Sequence, residues 1–191
     1  NLPDTVKKIG SGAFANCTSL KTLNLPDTVK TIGSGAFANC TSLSSWHYPL
    51  ALETVNSNLG GGIFGGCTSL TSVEVPEGVT ALPAYVFQNT KPLQSVKLPS
   101  TLQTIEDYAF DESGITSLEL PAGVTEIGAF AFEDCTGLES ISLGNSLTNI
   151  GSRAFASCTA LEELNLPDTV KKIGSGAFAN CTSLSSWHYP L

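Results

Sequence analysis

Six cysteines, two histidines, several carboxylates and one glycine-rich stretch are the residues whose types could do chemistry in this chain. Cys17, Cys40, Cys67, Cys135, Cys158 and Cys181 form an even set, which in a secreted chain suggests disulfides. No C-x-x-C pair or neighbouring histidine completes the four ligands of a zinc site. His47 and His188 each lie in the string SSWHYPL, and no nucleophile stands at a spacing that would set it beside either ring. Glu106, Asp107, Asp111 and Glu112, with Glu133 and Asp134, offer oxygens suited to calcium, but not at the spacing of a helix-loop-helix calcium loop. Gly60-Gly61-Gly62 suggests a phosphate cradle, yet lacks the Lys-Ser/Thr ending and the strand-loop-helix setting through which such a cradle works. A nucleophile, a base and an orienting partner cannot be assembled from this set, so neither enzymatic activity nor a cofactor or metal is expected.

Charge narrows the partners. The chain carries a net charge of -8 with only 9 Lys and Arg, which leaves no basic stripe for a phosphate backbone and argues against nucleic acid. No apolar run approaches the roughly 18 residues of a membrane span, so membrane insertion is not expected. With 41% apolar and 14% charged residues, the chain has the material for a continuous core.

What would position any site is an internal repeat. Phenylalanine recurs at 14, 37, 64, 87, 110, 132, 155 and 178, at a spacing of 23 apart from one step of 27 and one of 22. Residues 1–20 return unchanged at 165–184, and residues 24–50 return at 165–191 with one difference, Thr31 against Lys172. The reading is one solenoid over 1–191, about eight units of ~23 residues, without end caps.

The second unit shows the logic. Leu23 and Leu25 alternate with Thr22 and Asn24, the period-2 signature of a short strand with one buried face. Pro26 ends it, because proline has no backbone donor for a central ladder. Val29 and Ile32 then step by three, Gly33 offers backbone angles that other residues resist, and Ser34 to Asn39 reads as one tight helical turn carrying Ala36 and Phe37 inward. One such unit buries too little to offset the entropy of ordering it, so neighbouring coils must cover each other's open faces.

The pattern L-x-x-L-x-L-P-x-x-V-x-x-I-G-x-x-A-F-x-x-C-x-x-L resembles the BspA-type leucine-rich repeat, and the resemblance covers the whole chain. Thr90 and Ser113 depart from it at the cysteine position, and Leu143-Gly144-Asn145 replaces Leu-Pro-Asp. The implied fold is an α/β repeat solenoid, a right-handed coil or horseshoe with a parallel sheet of short strands on one face and short helical turns or loops on the other. The implied role is a non-catalytic binding or adhesion module, secreted or at a bacterial cell surface, with a protein or glycan partner. A structural spacer or self-assembling segment is the alternative.

Placed on that repeat, the cysteines form one column about 4.8 Å apart, and the expected state is a row of buried thiols. The 27-residue step coincides with the glycine-rich stretch and is expected to bulge as a longer loop. Alternation exposes two columns on the strands. One is Thr22, Ser45, Ser72, Ser95, Ser117, Ser140, Glu163 and Ser186, nearly all hydroxyl. The other is Asn24, His47, Glu74, Lys97, Glu119, Ser142, Asn165 and His188, varied in charge and shape as recognition requires, and it is the candidate binding face. Without polar end units, both open ends are expected to expose apolar coil faces and strand edges, favouring end-to-end self-association.

Overall fold

A computed structural model describes residues 2–57 and 62–188, with the backbone alone for Trp187 and His188. Among these residues the chain winds through two columns of short strands. The front column holds β2 (Thr22–Asn24), β4 (Ser45–His47), β6 (Ser72–Glu74), β8 (Ser95–Lys97), β10 (Ser117–Glu119), β12 (Ser140–Ser142), β14 (Glu163–Asn165) and β16 (Ser186–His188). The side column holds β1 (Lys8–Ile9), β3 (Thr31–Ile32), β5 (Thr54–Val55), β7 (Ala81–Leu82), β9 (Thr104–Ile105), β11 (Glu126–Ile127), β13 (Asn149–Ile150) and β15 (Lys172–Ile173). All pairings are parallel, and the register follows the repeat, with Leu23 beside Trp46 and Ile127 beside Ile150.

The two columns are interrupted differently. Front strands pair two by two, as β2-β4, β6-β8, β10-β12 and β14-β16. Side strands run as β1-β3-β5 and β7-β9-β11-β13-β15, broken at the unit that carries the 27-residue step. That unit's glycine-rich insertion, including Gly60 and Gly61, lies outside the described residues.

The front strands match the period-2 reading: every strand of this column with described side chains is exposed, buried, exposed. The side column is not legible in the sequence, because Thr31–Ile32 is too short to show alternation and its spacing reads as a turn.

The expected helical turn is not there, and no helix occurs among the described residues, so the fold is a parallel-strand β-solenoid and not α/β. The reason lies in where the N–H groups go. In residues 12–17 they alternate. Gly12, Phe14 and Asn16 donate to Ser34, Ala36 and Ala38 of the next coil at 3.0, 2.7 and 2.7 Å. Ala13, Ala15 and Cys17 donate three residues back, to Gly10, Gly12 and Phe14. A helix would keep all of these bonds within the segment. Gly12 (φ 62°) and Asn16 (φ 63°) are left-handed, which glycine and asparagine tolerate and an α-helix forbids.

Gly33 also differs from expectation. Its backbone is not left-handed; a Cβ there would lie 2.3 Å from Ser11 N, so the residue is small because two coils touch.

Inside, the phenylalanine column stacks in two runs, Phe14 to Phe64 and Phe87 to Phe178, with Trp46 edge-on to both Phe64 and Phe87. Phe37, Phe64, Phe87, Phe110, Phe132 and Phe155 are fully buried. Successive rings such as Phe110, Phe132 and Phe155 lie 5.1 and 5.0 Å apart and nearly parallel. One coil is wider. Trp46 and Tyr48 stand where the preceding coil has Leu23 and Leu25, with Trp46 edge-on to Phe64 at 4.7 Å. The extra volume falls within the 27-residue step, between Phe37 and Phe64. Trp46 Nε1 and Tyr48 Oη are buried there without a hydrogen-bond partner, a cost the apolar residues at these positions in the preceding coil do not carry.

Candidate binding face

Strand alternation turns Asn24, His47, Glu74, Lys97, Glu119, Ser142 and Asn165 outward, all exposed. His188 takes the matching place in β16, opposite Asn165, and its side chain lies outside the described residues. Register sets Asn24 opposite His47, Glu74 opposite Lys97, and Glu119 opposite Ser142, so the chosen residues form one row across the coils. The hydroxyl row runs parallel to it, with Ser72 opposite Ser95 and Ser117 opposite Ser140.

Parts of the row are tied together. Lys97 Nζ donates to Glu74 Oε1 at 2.6 Å, and that hydrogen bond and charge hold the Lys97 amine above its ordinary value. His47 Nε2 lies 3.1 Å from Asp27 Oδ1, which also accepts the Leu50 N–H at 3.1 Å. The Leu50 N–H first, and His47 after it, hold the Asp27 carboxyl below its ordinary value. Glu77 accepts both the N–H (3.0 Å) and the hydroxyl (2.9 Å) of Ser100, and those bonds lower its carboxyl likewise. Asp27 and Glu77 rim the face and are not marked by the sequence pattern. They stand after the strand, where alternation no longer says which way a side chain points.

Two shallow depressions open on the face. One, of about 620 Å³, is lined by Asn24, His47 and Glu74 with Pro76 and Glu77, and lies over the β4–β6 junction where the front ladder is interrupted. The other, of about 550 Å³, is lined by Glu119, Ser142 and Asn165 together with the serine row. The face thus offers polar contacts of both signs over a serine floor, suited to hydrogen bonding an extended partner.

The remaining chemistry-bearing residues are placed elsewhere. All six cysteines are free, and Cys40, Cys67, Cys135 and Cys158 are buried. Each of these thiols donates to the carbonyl of the phenylalanine one coil earlier, as Cys67 Sγ to Phe37 O at 3.1 Å and Cys135 Sγ to Phe110 O at 3.0 Å. Burial pushes the Cys67 thiol up to about 11 and Cys135 up to about 12, which keeps both protonated and unreactive at neutral pH. Ser113 keeps a hydroxyl in this column, with its Oγ 3.4 Å from Cys135 Sγ. Among the described residues no group of three His, Cys, Asp or Glu side chains is placed to hold a metal.

The acidic residues divide. Glu106 and Asp107 cap the neighbouring coils, accepting the N–H of Ala84 at 3.0 Å and of Ala129 at 2.7 Å. Asp111 is buried instead, accepting from Gln88 Nε2 at 2.9 Å. Burial pushes its carboxyl up to about 6, opposed by the Gln88 bond and reinforced by Glu112, Glu133 and Asp134. The folded chain therefore holds this proton more tightly than the unfolded one. Asp111 costs stability above pH 6, and the cost fades as pH falls towards the ordinary carboxylate value of 3.8. Asp111→Asn, which keeps an acceptor for Gln88, should stabilise the chain by about 1–2 kcal/mol at neutral pH and not at acid pH. Urea unfolding at both pH values checks this; a gain independent of pH would show that charge is not the cause.

Comparison with known proteins follows the same lines. The family described as BspA type leucine rich repeat region matches in 6 copies, over residues 1–114 and 57–185. No curated protein matches the chain. Among solved structures, a leucine-rich repeat protein from Bacteroides ovatus is 27% identical with a TM-score of 0.76, covering 100% of this chain and 51% of its own. A leucine rich cell surface protein from Faecalibacterium prausnitzii is 29% identical (TM-score 0.54), covering 96% of this chain and 65% of its own. A leucine rich repeat protein of T. pallidum is 28% identical (TM-score 0.61), covering 96% of this chain and 76% of its own. The chain thus spans about half the length of the Bacteroides protein.

Proposed function

The chain belongs to the BspA-type leucine-rich repeat family, and from that membership we propose that it is a non-catalytic binding or adhesion module whose front face meets a protein or glycan partner. The observation that carries the reading is the contrast between the two exposed columns. A solenoid that only needed solubility could repeat serine in both, yet the second column changes from Asn24 to His47, Glu74, Lys97 and Glu119 in successive coils. The depressions over that row supply concavity, and the rigid inter-coil bonding beneath supplies preorganisation. Placement outside the cell or on its surface is supported by the Faecalibacterium relative, a cell surface protein.

The test combines Glu74→Ala, Lys97→Ala and Glu119→Ala in one chain. Both members of the Glu74–Lys97 pair are exposed, so removing the pair should leave the fold intact. Ligands drawn from a protein or glycan array by the parent should lose at least about ten-fold in affinity; unchanged affinity rejects this face. A structural spacer is the second reading, favoured by the recurrence of residues 1–20 at 165–184 and by the packing of 1–20 on 24–43, which differ from them only at Thr31. Such self-complementary units would support end-to-end association. A spacer draws nothing from the array.

A further inference from the structure

Backbone hydrogen bonds clamp coil to coil on two sides of the solenoid. In the side column the ladders β1-β3-β5 and β7-β9-β11-β13-β15 are each continuous. On the turn side the N–H groups of Phe14, Phe37 and Phe87 donate to Ala36, Ile63 and Ala109 of the following coil, and the same bond recurs at Phe110, Phe132 and Phe155. Among the described residues one step lacks both clamps. Between the coil of β4 and β5 and the coil of β6 and β7, β5 does not pair with β7, and the Phe64 and Gly66 N–H groups donate to no carbonyl of the following coil. The front ladder is open at the same step, between β4 and β6.

Pro83 accounts for the side column. It stands where Gly33, Gly128, Gly151 and Gly174 each donate an N–H to the preceding coil, as Gly33 N to Ile9 O at 2.9 Å, and proline has no N–H to give. The core changes at the same step. One run of stacked rings ends at Phe64 and the next starts at Phe87, with Trp46 edge-on to the two at 4.7 and 6.2 Å. Among the described residues, the step is otherwise held by the chain itself, by buried apolar contact and by one side-chain bond, from Ser57 Oγ to Gln88 Oε1 at 2.5 Å. Apolar contact has no preferred direction, so it opposes separation of the coils and not a tilt between them. A hydrogen-bonded ladder opposes both, because its bonds weaken as they leave line.

We infer that this step is a hinge, at which the block that carries β1 to β5 and the block that carries β6 to β16 tilt against each other as two rigid bodies. In a stack where each coil touches only its neighbours, bending gathers at the weakest interface. The consequence falls on the front row. Asn24 and His47 stand on one block and Glu74 and Lys97 on the other, and the depression of about 620 Å³ over the step is lined from both blocks, by His47 on one side and Glu74 on the other. Tilt therefore sets the width of that depression and the spacing between the two halves of the row. The hinge itself does not depend on what the row binds.

Paired spin labels on the full chain read the tilt. Thr22→Cys with Ser117→Cys spans four coil steps that include this one, and Ser72→Cys with Glu163→Cys spans four that do not; all four positions are exposed. At about 4.8 Å per step, both pairs lie roughly 19 Å apart. Cys17→Ser and Cys181→Ser remove the two thiols that are not buried. Double electron–electron resonance should give a distance distribution about two-fold broader for the first pair than for the second. Pro83→Gly, which returns the missing N–H, should narrow the first distribution and leave the second unchanged. Equal widths for the two pairs overturn the hinge, and so does a first distribution that Pro83→Gly leaves as broad as before. If Pro83→Gly fails to fold, the comparison of the two pairs decides alone.

Discussion

Phe110→Ala should remove about 3–5 kcal/mol of stability. The ring is fully buried, with Phe87 on one side at 5.1 Å and Phe132 on the other at 5.1 Å. Truncation removes apolar surface from the core and also leaves a gap between two rings. That gap cannot close, because the coils are held at fixed spacing by backbone bonds such as Phe110 N to Ala131 O at 2.7 Å and by the Cys135 thiol on Phe110 O. In a quasi-one-dimensional stack, stability is a sum over units and their interfaces, so damage in a central coil uncouples the two sides. Urea unfolding should pass from one sharp transition in the parent to a broader or two-step one in the variant. Phe14→Ala is the control: Phe14 is only partly buried and stacks on Phe37 alone, at 5.6 Å, so its loss should be clearly smaller. Equal losses at the two positions would mean that the rings are not a layered core.

The phenylalanine column is legible in the sequence because its period survives every substitution between the rings, and the front strands because Leu23 and Leu25 flank an outward Asn24 before Pro26. The exposed row comes from the same alternation, since period 2 fixes the direction of a side chain without knowledge of any contact. The turn segment misleads for a physical reason. Ala36-Phe37-Ala38 has helical composition, and only the hydrogen-bond destinations, every second one in the neighbouring coil, reveal that it is not a helix. Sequence shows which donors exist and not which coil accepts them. An aromatic ladder on the turn face is half legible: Tyr85, Tyr108 and Phe130 each stand two residues before a phenylalanine of the column, as Gly12 and Gly35 do, but their left-handed backbone and their stacking appear only in the structure. Four of the six thiols form the expected buried column, whereas Cys17 is exposed and Cys181 half-buried; the role of the thiols as donors to phenylalanine carbonyls depends on geometry between residues 26 apart, as for Cys40 and Phe14.

Glycine gives the sharpest separation of these causes, because two glycines in one repeat are small for opposite reasons. Gly151→Ala should cost about 3 kcal/mol or more, at the upper end of overpacking effects. Its Cβ would fall 2.4 Å from both Ala129 N and Gly128 C, and 2.5 Å from Gly128 O, all of them backbone atoms that no rotamer change can move. Relief would require the coils to separate, which breaks the Gly151 N to Ile127 O bond at 2.8 Å and loosens the β11–β13 pairing beside it. The same close approach recurs at Gly33, Gly128 and Gly174. Gly35 is different: it is left-handed at φ 59°, and the nearest atom to a Cβ there is Ala38 Cβ at 3.7 Å. Asparagine tolerates that conformation, as Asn39 shows at φ 58°, so Gly35→Asn should change stability by less than about 1 kcal/mol. Urea unfolding ranks the two variants, and hydrogen exchange locates the damage, with faster exchange expected at Gly151 and Ile150 in Gly151→Ala and no change at Phe37 in Gly35→Asn. If Gly151→Ala were tolerated while Gly35→Asn unfolded the chain, backbone angle and not coil contact would be what these glycines supply.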